Sequence, residues 1–483
     1  MASKFVSVAA GHTAAMREIE QLAHGKWSPG NGGRELTVVN PRDDEPVTRV
    51  ACSSDEEVAE AVSAARSAAP GWSGVPAADR GAALRSAASA VEAAADELAA
   101  IMSDEMGKPV GEARESILAG VGTLRQYAEL GPVHRGRSLA GDPSATDLMT
   151  FEPRGVVAVI TPWNDPVAVA CGLLGAALVT GNTVVHKPSE RTPATGWRLV
   201  QLVAPHFPAG VLNLVNGDGP VGAALAAAPV DVVAHVGSSA TGRAIAAACA
   251  RTGAKALLEN GGCDPLIVDA GVDPRWAAAQ AALGAFANAG QICVSVERIY
   301  AHRAVLDPFV AALAEEAERW QSRIGPLVDR RLRDAVDDQV QHAIKAGAVI
   351  VRGGAAPAGP GAWYPPTVLA ECTDDMAVMR EETFGPVAPV AEVDSFDEAL
   401  ARAADSPYGL AATVLTRSMS HAQRAARVLP TGTVKVNAVF GGAPGGAAHP
   451  RRGSGQGFGY GPELLDEMTA TKVVHLAAPP TGW

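Results

Sequence analysis

The spacing of hydrophobic positions changes along the chain. From about Asp55 to Leu130 apolar residues recur at helical spacing. Between Arg80 and Met102 alanines fill the apolar stripe and acids the other face, which predicts amphipathic helix. Met106-Gly107-Lys108-Pro109 stops that run, because glycine and proline end helices, and Ala113–Tyr127 resumes it. Gly131–Thr150 loses the period and gains Gly, Pro, Ser and Asp, so a projecting loop or hairpin is predicted. From Gly155 onward short β-branched runs alternate with helical ones. Strands are predicted at Val156–Ile160, Thr183–Val185, Val211–Val215, Val232–Val236, Pro265–Asp269 and Ser295–Ala301. Helices are predicted at Ala168–Leu178, Trp197–Ala204, from Gly222, and at Thr241–Arg251, Trp276–Ala289 and Pro308–Trp320. Gly325 to about Val436 continues the alternation, and Lys472–Ala477 can form a last strand. Short apolar strands interleaved with helices are buried on both faces, which makes the fold class α/β with parallel sheets.

Composition narrows the function classes. The 483 residues suggest two to four domains, at roughly 100–200 residues each. An apolar content of 47% with 19% charge supports a large core and argues against disorder. The net charge of −12 makes nucleic acid or an anionic membrane an unsuitable main partner, while leaving room for a local basic site. The six cysteines (Cys52, Cys171, Cys249, Cys263, Cys293 and Cys372) form no C-x-x-C pair. Neither a disulfide framework nor a metal site is expected, and reduced thiols point to the cytoplasm. Met1–Ala10 has too short an apolar run for a secretory signal. Val167–Val179, the longest apolar stretch, falls short of the ~20 residues a membrane span needs and reads as a buried helix.

Several segments carry candidate chemistry, each with a plainer alternative. Gly217-Asp218-Gly219-Pro220-Val221-Gly222 has the G-x-G-x-x-G form between strand and helix, as a phosphate turn would. The acid that should close the next strand is missing there, where Ala234, His235 and Val236 stand, so an ordinary tight turn fits too. Gly237–Gly242 begins a helix at Ser238, whose free N–H groups suit an anion, or it is a simple cap. Thr161–Pro166 is a proline-stiffened loop at a strand's carboxyl end, offering the Asn164 amide, or a structural turn. Gly181–Glu190 ends in Lys187, Ser189 and Glu190, which can bind ribose or phosphate, or simply face solvent. Glu259, at a strand end before Gly261-Gly262, suits a general base if burial raises its pKa. Cys293 is a nucleophile or an inert small core residue.

In this order and spacing these segments, with Glu381–Val387, resemble the aldehyde dehydrogenase superfamily over roughly residues 25–474. The resemblance implies two Rossmann-like α/β domains plus a small β oligomerisation arm. Its expected limits are 1–130 and 151–260 for the cofactor domain, 131–150 and 472–483 for the arm, and 261–471 for the catalytic domain. It implies that Cys293 is the nucleophile, Glu259 the general base, and Asn164 with the Cys293 N–H the oxyanion hole. Cofactor contacts are implied at Ile160, Thr161, Pro162, Trp163, Lys187, Ser189, Glu190, Gly219, Gly222, Ser238, Glu382 and Phe384. Among them Lys187 and Glu190 would meet the adenosine ribose, the helix at Ser238 the pyrophosphate, and Glu382 and Phe384 the nicotinamide ribose. Glu467 falls where some members carry a second, proton-relaying acid. NAD is the expected cofactor because the Glu190 carboxylate repels an extra phosphate, although Lys187 also allows NADP.

An aldehyde has no leaving group, so hydride leaves only from a tetrahedral adduct, which a thiolate forms readily. A free cysteine titrates near ~8.5, so Cys293 needs a lowered pKa or a base. Members that pass the acyl group to coenzyme A generally lack the Glu, so Glu259 favours a free acid product, with acyl-CoA formation as the alternative. A small-molecule aldehyde and a homodimer or homotetramer are the expected partners, without nucleic acid or membrane. Departures from the family pattern are Asn260 for Leu, Cys263 for Lys, His235-Val236 for Phe-Thr, and Phe458-Gly459 for Arg-Glu. Cys263 is either a second thiol near the site or a core residue. Arg114 and Arg125 flank the tunnel mouth in this family, and either holds a substrate carboxylate or joins a surface salt bridge. Semialdehydes, hydroxyaldehydes and simple aliphatic or aromatic aldehydes all fit these motifs.

Overall fold

The computed structural model describes residues 16–441, 446–447 and 449–479; the expectation for Met1–Ala10 and the arm's end at 480–483 lie outside them. The helical region folds as Asp55–Ser73, Ala77–Ala93, Ala95–Met106 and Val110–Leu130. The first opens on a capping box. Ser54 Oγ accepts the Glu57 N–H at 3.2 Å, and Glu57 Oε2 accepts the Ser54 N–H at 2.8 Å. The single helix expected over Arg80–Met102 breaks at Ala94, since alanine spacing runs unchanged through a bend that has no Gly or Pro to mark it. No helix among the described residues is long and apolar enough to cross a membrane.

Two large sheets organise the chain. The first has the spatial order Gly455–Gln456, Lys255–Glu259, Val232–Val236, Val156–Ile160, Thr183–Lys187, Leu212–Leu214, Gln21–Ala23, Lys26–Ser28. Its five strands from Lys255–Glu259 to Leu212–Leu214 run parallel. The chain builds outward from Val156–Ile160 on one side, then returns to lay Val232–Val236 on the other. That reversal leaves a crevice beyond the carboxyl ends of the two strands, where open α/β sheets bind ligands. The second sheet runs Val349–Arg352, Thr367–Ala370, Val387–Val393, Val296–His302, Asp264–Val268, Ala411–Leu415, Thr433–Val436. It is parallel apart from its first pair and buries Phe286, Tyr300 and Phe309.

A third, three-stranded sheet joins Arg137–Leu139, Ala145–Pro153 and the tail Thr469–Ala477, all antiparallel. The second unit does not extend to 471 as expected. Gly455–Gln456 pairs with Leu258–Glu259, and Leu464, Leu465 and Met468 join the first sheet's core. Their apolar side chains find a partner in the helix Pro166–Val179, a long-range contact with no local sequence signal.

Only Asn260–Cys263 separates Glu259, the last residue of its strand, from Asp264, the first of the next. The first sheet therefore turns its carboxyl ends toward this seam. The second turns its amino ends there, with Cys293 just ahead of Val296–His302 and Glu382–Phe384 just ahead of Val387–Val393.

Candidate active site

A cavity of about 880 Å³ lies in the crevice of the first sheet. Ile160, Thr161, Pro162, Trp163, Lys187, Ser189, Glu190, Gly219, Gly222 and Ser238 all line it. The helices Gly219–Ala227 and Ser239–Thr252 flank it with small residues, including Ala223, Ala226, Ala244 and Ala248. That leaves a narrow apolar slot suited to a flat ring. Ser238 caps its helix by accepting the Thr241 N–H at 3.3 Å, and the positive end of the helix faces the cavity. Lys187 is buried, its Nζ donating to the Pro188 carbonyl at 2.9 Å. Burial lowers its pKa while Glu190 and Asp218 oppose that shift. A ring slot, a lysine–acid pair and a helix N-terminus fit the adenine, ribose and pyrophosphate of a dinucleotide. The buried His235 also stands in the cavity wall.

Glu382 and Phe384 lie across Trp163 from this cavity. The Phe384 ring meets Trp163 edge-on, with centroids 5.4 Å apart. The Glu382 carboxylate instead accepts the Gly262 N–H at 3.1 Å. A Cβ on Gly261 would stand 2.1 Å from Glu382 Oε2, so the glycine pair after Glu259 is what lets that acid enter the seam.

Sequence reasoning missed two supports. Glu297 accepts the N–H groups of Thr383 (2.9 Å) and Phe384 (3.1 Å), fixing a loop where Phe384 sits at φ 53°. An acid inside an apolar strand is the signal that could have found it. Arg191 lines the cavity, lies 5.2 Å from the Trp163 ring centroid and pairs with Asp329 at 2.9 Å.

The helix expected to reach Ala289 stops at Phe286. Asn288 (φ 49°) and Ala289 (φ 55°) turn left-handed, which costs of order 1 kcal/mol or more each. Hydrogen bonds hold the turn: Gln291 Nε2 donates to the Asn288 carbonyl at 2.9 Å, Val328 N–H to Gln291 Oε1 at 2.9 Å, and Ser295 Oγ to the Gly290 carbonyl at 3.1 Å. The strained turn delivers Cys293 into the seam, half-buried, whereas the other five cysteines are buried.

Asn164 Nδ2 donates one hydrogen to the Gln291 carbonyl at 3.0 Å, two residues ahead of Cys293, which leaves its second hydrogen unused. Glu259 Oε1 accepts the Gly459 N–H at 3.0 Å. Burial pushes Glu259 up to about 8. Burial, and then the negative fields of Glu259, Asp264 and Glu382, push the Cys293 thiol up to about 12.

The remaining candidates have partners of their own. Cys263 is buried, with its thiol raised by burial, and behaves as a core residue. Glu467 pairs with Lys255 and accepts the Phe458 N–H at 3.0 Å. Arg114 and Arg125 form surface salt bridges, with Asp96 at 2.6 Å and Glu92 at 2.5 Å.

Comparison with known proteins agrees with this geometry. The model of the aldehyde dehydrogenase family matches residues 27–474. Mitochondrial aldehyde dehydrogenase from Leishmania tarentolae is 35% identical over 470 residues, covering 95% of this chain and 94% of that protein. Lactaldehyde dehydrogenase from Escherichia coli (strain K12) is 33% identical over 465 residues, 94% of this chain and 97% of its own. Among solved structures, betaine aldehyde dehydrogenase from Staphylococcus aureus in complex with NAD+ superposes with a TM-score of 0.92 at 30% identity, covering 96% of each chain. The structure of 3,6-anhydro-L-galactose dehydrogenase in complex with NAP gives 0.92 at 32% identity, covering 95% of this chain and all of the other. Matched in sequence and fold over nearly its full length, the chain belongs to the aldehyde dehydrogenase family and is an oxidoreductase acting on aldehydes.

Proposed function

We propose that the enzyme converts an aldehyde to the free carboxylic acid, with NAD or NADP as acceptor, through a cysteine thioester. What supports this reading is that Asn164 donates to the Gln291 carbonyl two residues before Cys293, that Glu259 lies near enough for its charge to act on the Cys293 thiol, and that Trp163, next to Asn164, lines the cavity. The Glu259 carboxylate takes the Cys293 proton, and Sγ bonds to the carbonyl carbon. The second Asn164 N–H and the Cys293 N–H hold the oxygen that becomes negative. The bound nicotinamide supplies the hydride acceptor. Glu259 then passes its proton to solvent and draws one from the water that attacks the thioester, which releases the acid and restores the thiol. Lys187 and Glu190 would hold the adenosine ribose, and the helix end at Ser238 would hold the pyrophosphate. Glu382 and Phe384 would hold the nicotinamide ribose.

The Glu190 carboxylate in the cavity favours NAD over NADP, and Glu259 favours water over coenzyme A as acyl acceptor. An aldehyde panel run with each cofactor, with and without coenzyme A, tests both. Free acid formed with NAD alone is the expected result, and absolute dependence on coenzyme A would overturn it. We also propose assembly into a homodimer or homotetramer through the arm, whose tail strand exposes Val473 and Leu476. Light scattering after size exclusion tests this. The free state of all six cysteines supports a cytoplasmic location, which cell fractionation tests.

A further inference from the structure

One buried polar group in the cofactor cavity is used by neither the reaction nor the contacts assigned above. His235 is 5% exposed, lines the cavity, and makes no hydrogen bond of good geometry at Nδ1 or Nε2, the Ile160 backbone interacting with the ring only weakly. Strand alternation places it on the same face as Val233, toward the helices Gly219–Ala227 and Ser239–Thr252 that bound the slot. Its register neighbours are Ile160 and Leu258. The ring is folded against the start of the phosphate-facing helix: a Cβ on Gly237 would lie 2.6 Å from His235 Cε1 and 2.8 Å from Nε2. Burial, with the nearby Lys187 charge, keeps the imidazole neutral by lowering it to about 4, against a weaker pull from the Ile160 carbonyl.

A neutral imidazole carries one N–H donor and one acceptor. Leaving both without a well-formed protein partner penalises the ligand-free fold. A bound molecule that pairs with one of them recovers that penalty as affinity. The groups around the ring, Lys187 and the helix at Ser238, are those that face the adenosine and diphosphate oxygens. We propose that His235 turns about Cβ–Cγ and donates its N–H to an oxygen of the cofactor's adenosine diphosphate half, making it a cofactor-binding residue of this chain. This rests on the reading of the cavity as the dinucleotide site.

Titration calorimetry of the intact protein with ADP and with nicotinamide mononucleotide tests it, comparing the natural chain with His235→Phe. ADP affinity falls on the order of ten-fold in His235→Phe, mononucleotide affinity is unchanged, and the ligand-free variant melts at a higher temperature. Unchanged ADP affinity, or an equal loss for the mononucleotide, overturns the proposal. His235→Leu serves if the phenylalanine variant does not fold. In His235→Gln, which keeps a donor and an acceptor, ADP affinity should stay within about three-fold; a ten-fold loss there would count against a hydrogen bond. Failure of the natural chain to bind ADP would instead overturn the reading of the cavity itself.

Discussion

The two faces of the seam handle charge in opposite ways. The first sheet offers strand carboxyl ends, an open cavity lined by a lysine, and a helix N-terminus. The second offers strand amino ends and a set of carboxyls whose hold on a proton burial strengthens. Glu297 is raised to about 8, Glu382 to about 7 and Asp264 well above its ordinary range. Glu259, on the link between the sheets, shares that environment and is raised to about 8. One face recognises an anion and must keep its charges unspent. The other performs chemistry on a neutral carbonyl and releases charge only where a base can take a proton. Affinity for cofactor and turnover should therefore respond to different residues.

The largest separation is expected at Cys293. Cys293→Ala should lower aldehyde oxidation by at least about 10³-fold while the cofactor Kd, read by calorimetry, changes less than about two-fold; a matched loss of cofactor binding would break the contrast. Glu259→Gln should slow turnover by about 10²- to 10⁴-fold, with stopped-flow absorbance and acid quench showing which half-reaction stalls. In the natural enzyme the rate should rise as pH climbs through about 8, as Glu259 becomes the carboxylate.

Asn164→Ala should remove ~2.7–4 kcal/mol of transition-state stabilisation, seen in kcat/KM for aldehyde and not in cofactor binding. On the other face, Lys187→Met should raise the cofactor KM by about ten-fold and leave kcat for the bound complex nearly intact.

The smallest effect concerns stability. In the unfolded chain Glu297 and Glu382 lose their protons near the ordinary ~4.3, but in the fold they do so near 8 and 7. Between those values the folded state binds more protons, so stability is greatest at the acidic end and falls as pH rises toward about 8. Calorimetric Tm values across that range, with Glu297→Gln flattening the slope, provide the check.

The cofactor face was the more legible half from sequence. Its contacts sit at the ends of apolar strands, where Lys187-Pro188-Ser189-Glu190 and Gly237-Ser238 interrupt a simple pattern, and all the positions expected on the first sheet line one cavity. The reaction face was readable in its residues but not in its environment. Nothing local announces that the Trp276 helix stops at Phe286 through two left-handed residues, or that Gly459 will supply the N–H that Glu259 accepts. Those features depend on which distant segments pack together, as does the return of residues 455–468 to the first sheet. The G-x-G-x-x-G turn was an incomplete fingerprint, lacking its acid and open to reading as an ordinary tight turn. Its strand, Leu212–Leu214, lies two places from the reversal in sheet order, while the helix at Ser238 begins directly beside it.

The short span Asn260–Cys263 limits how this protein can change over time. One inserted residue would add up to ~3.4 Å of chain, as much as the whole reach of a hydrogen bond, and would carry the base out of register with the thiol. The exposed turn between Leu139 and Ala145 tolerates far more, because lengthening it moves no reacting group. Descendants of this sequence should therefore vary in length at the arm and keep the four-residue bridge at constant size.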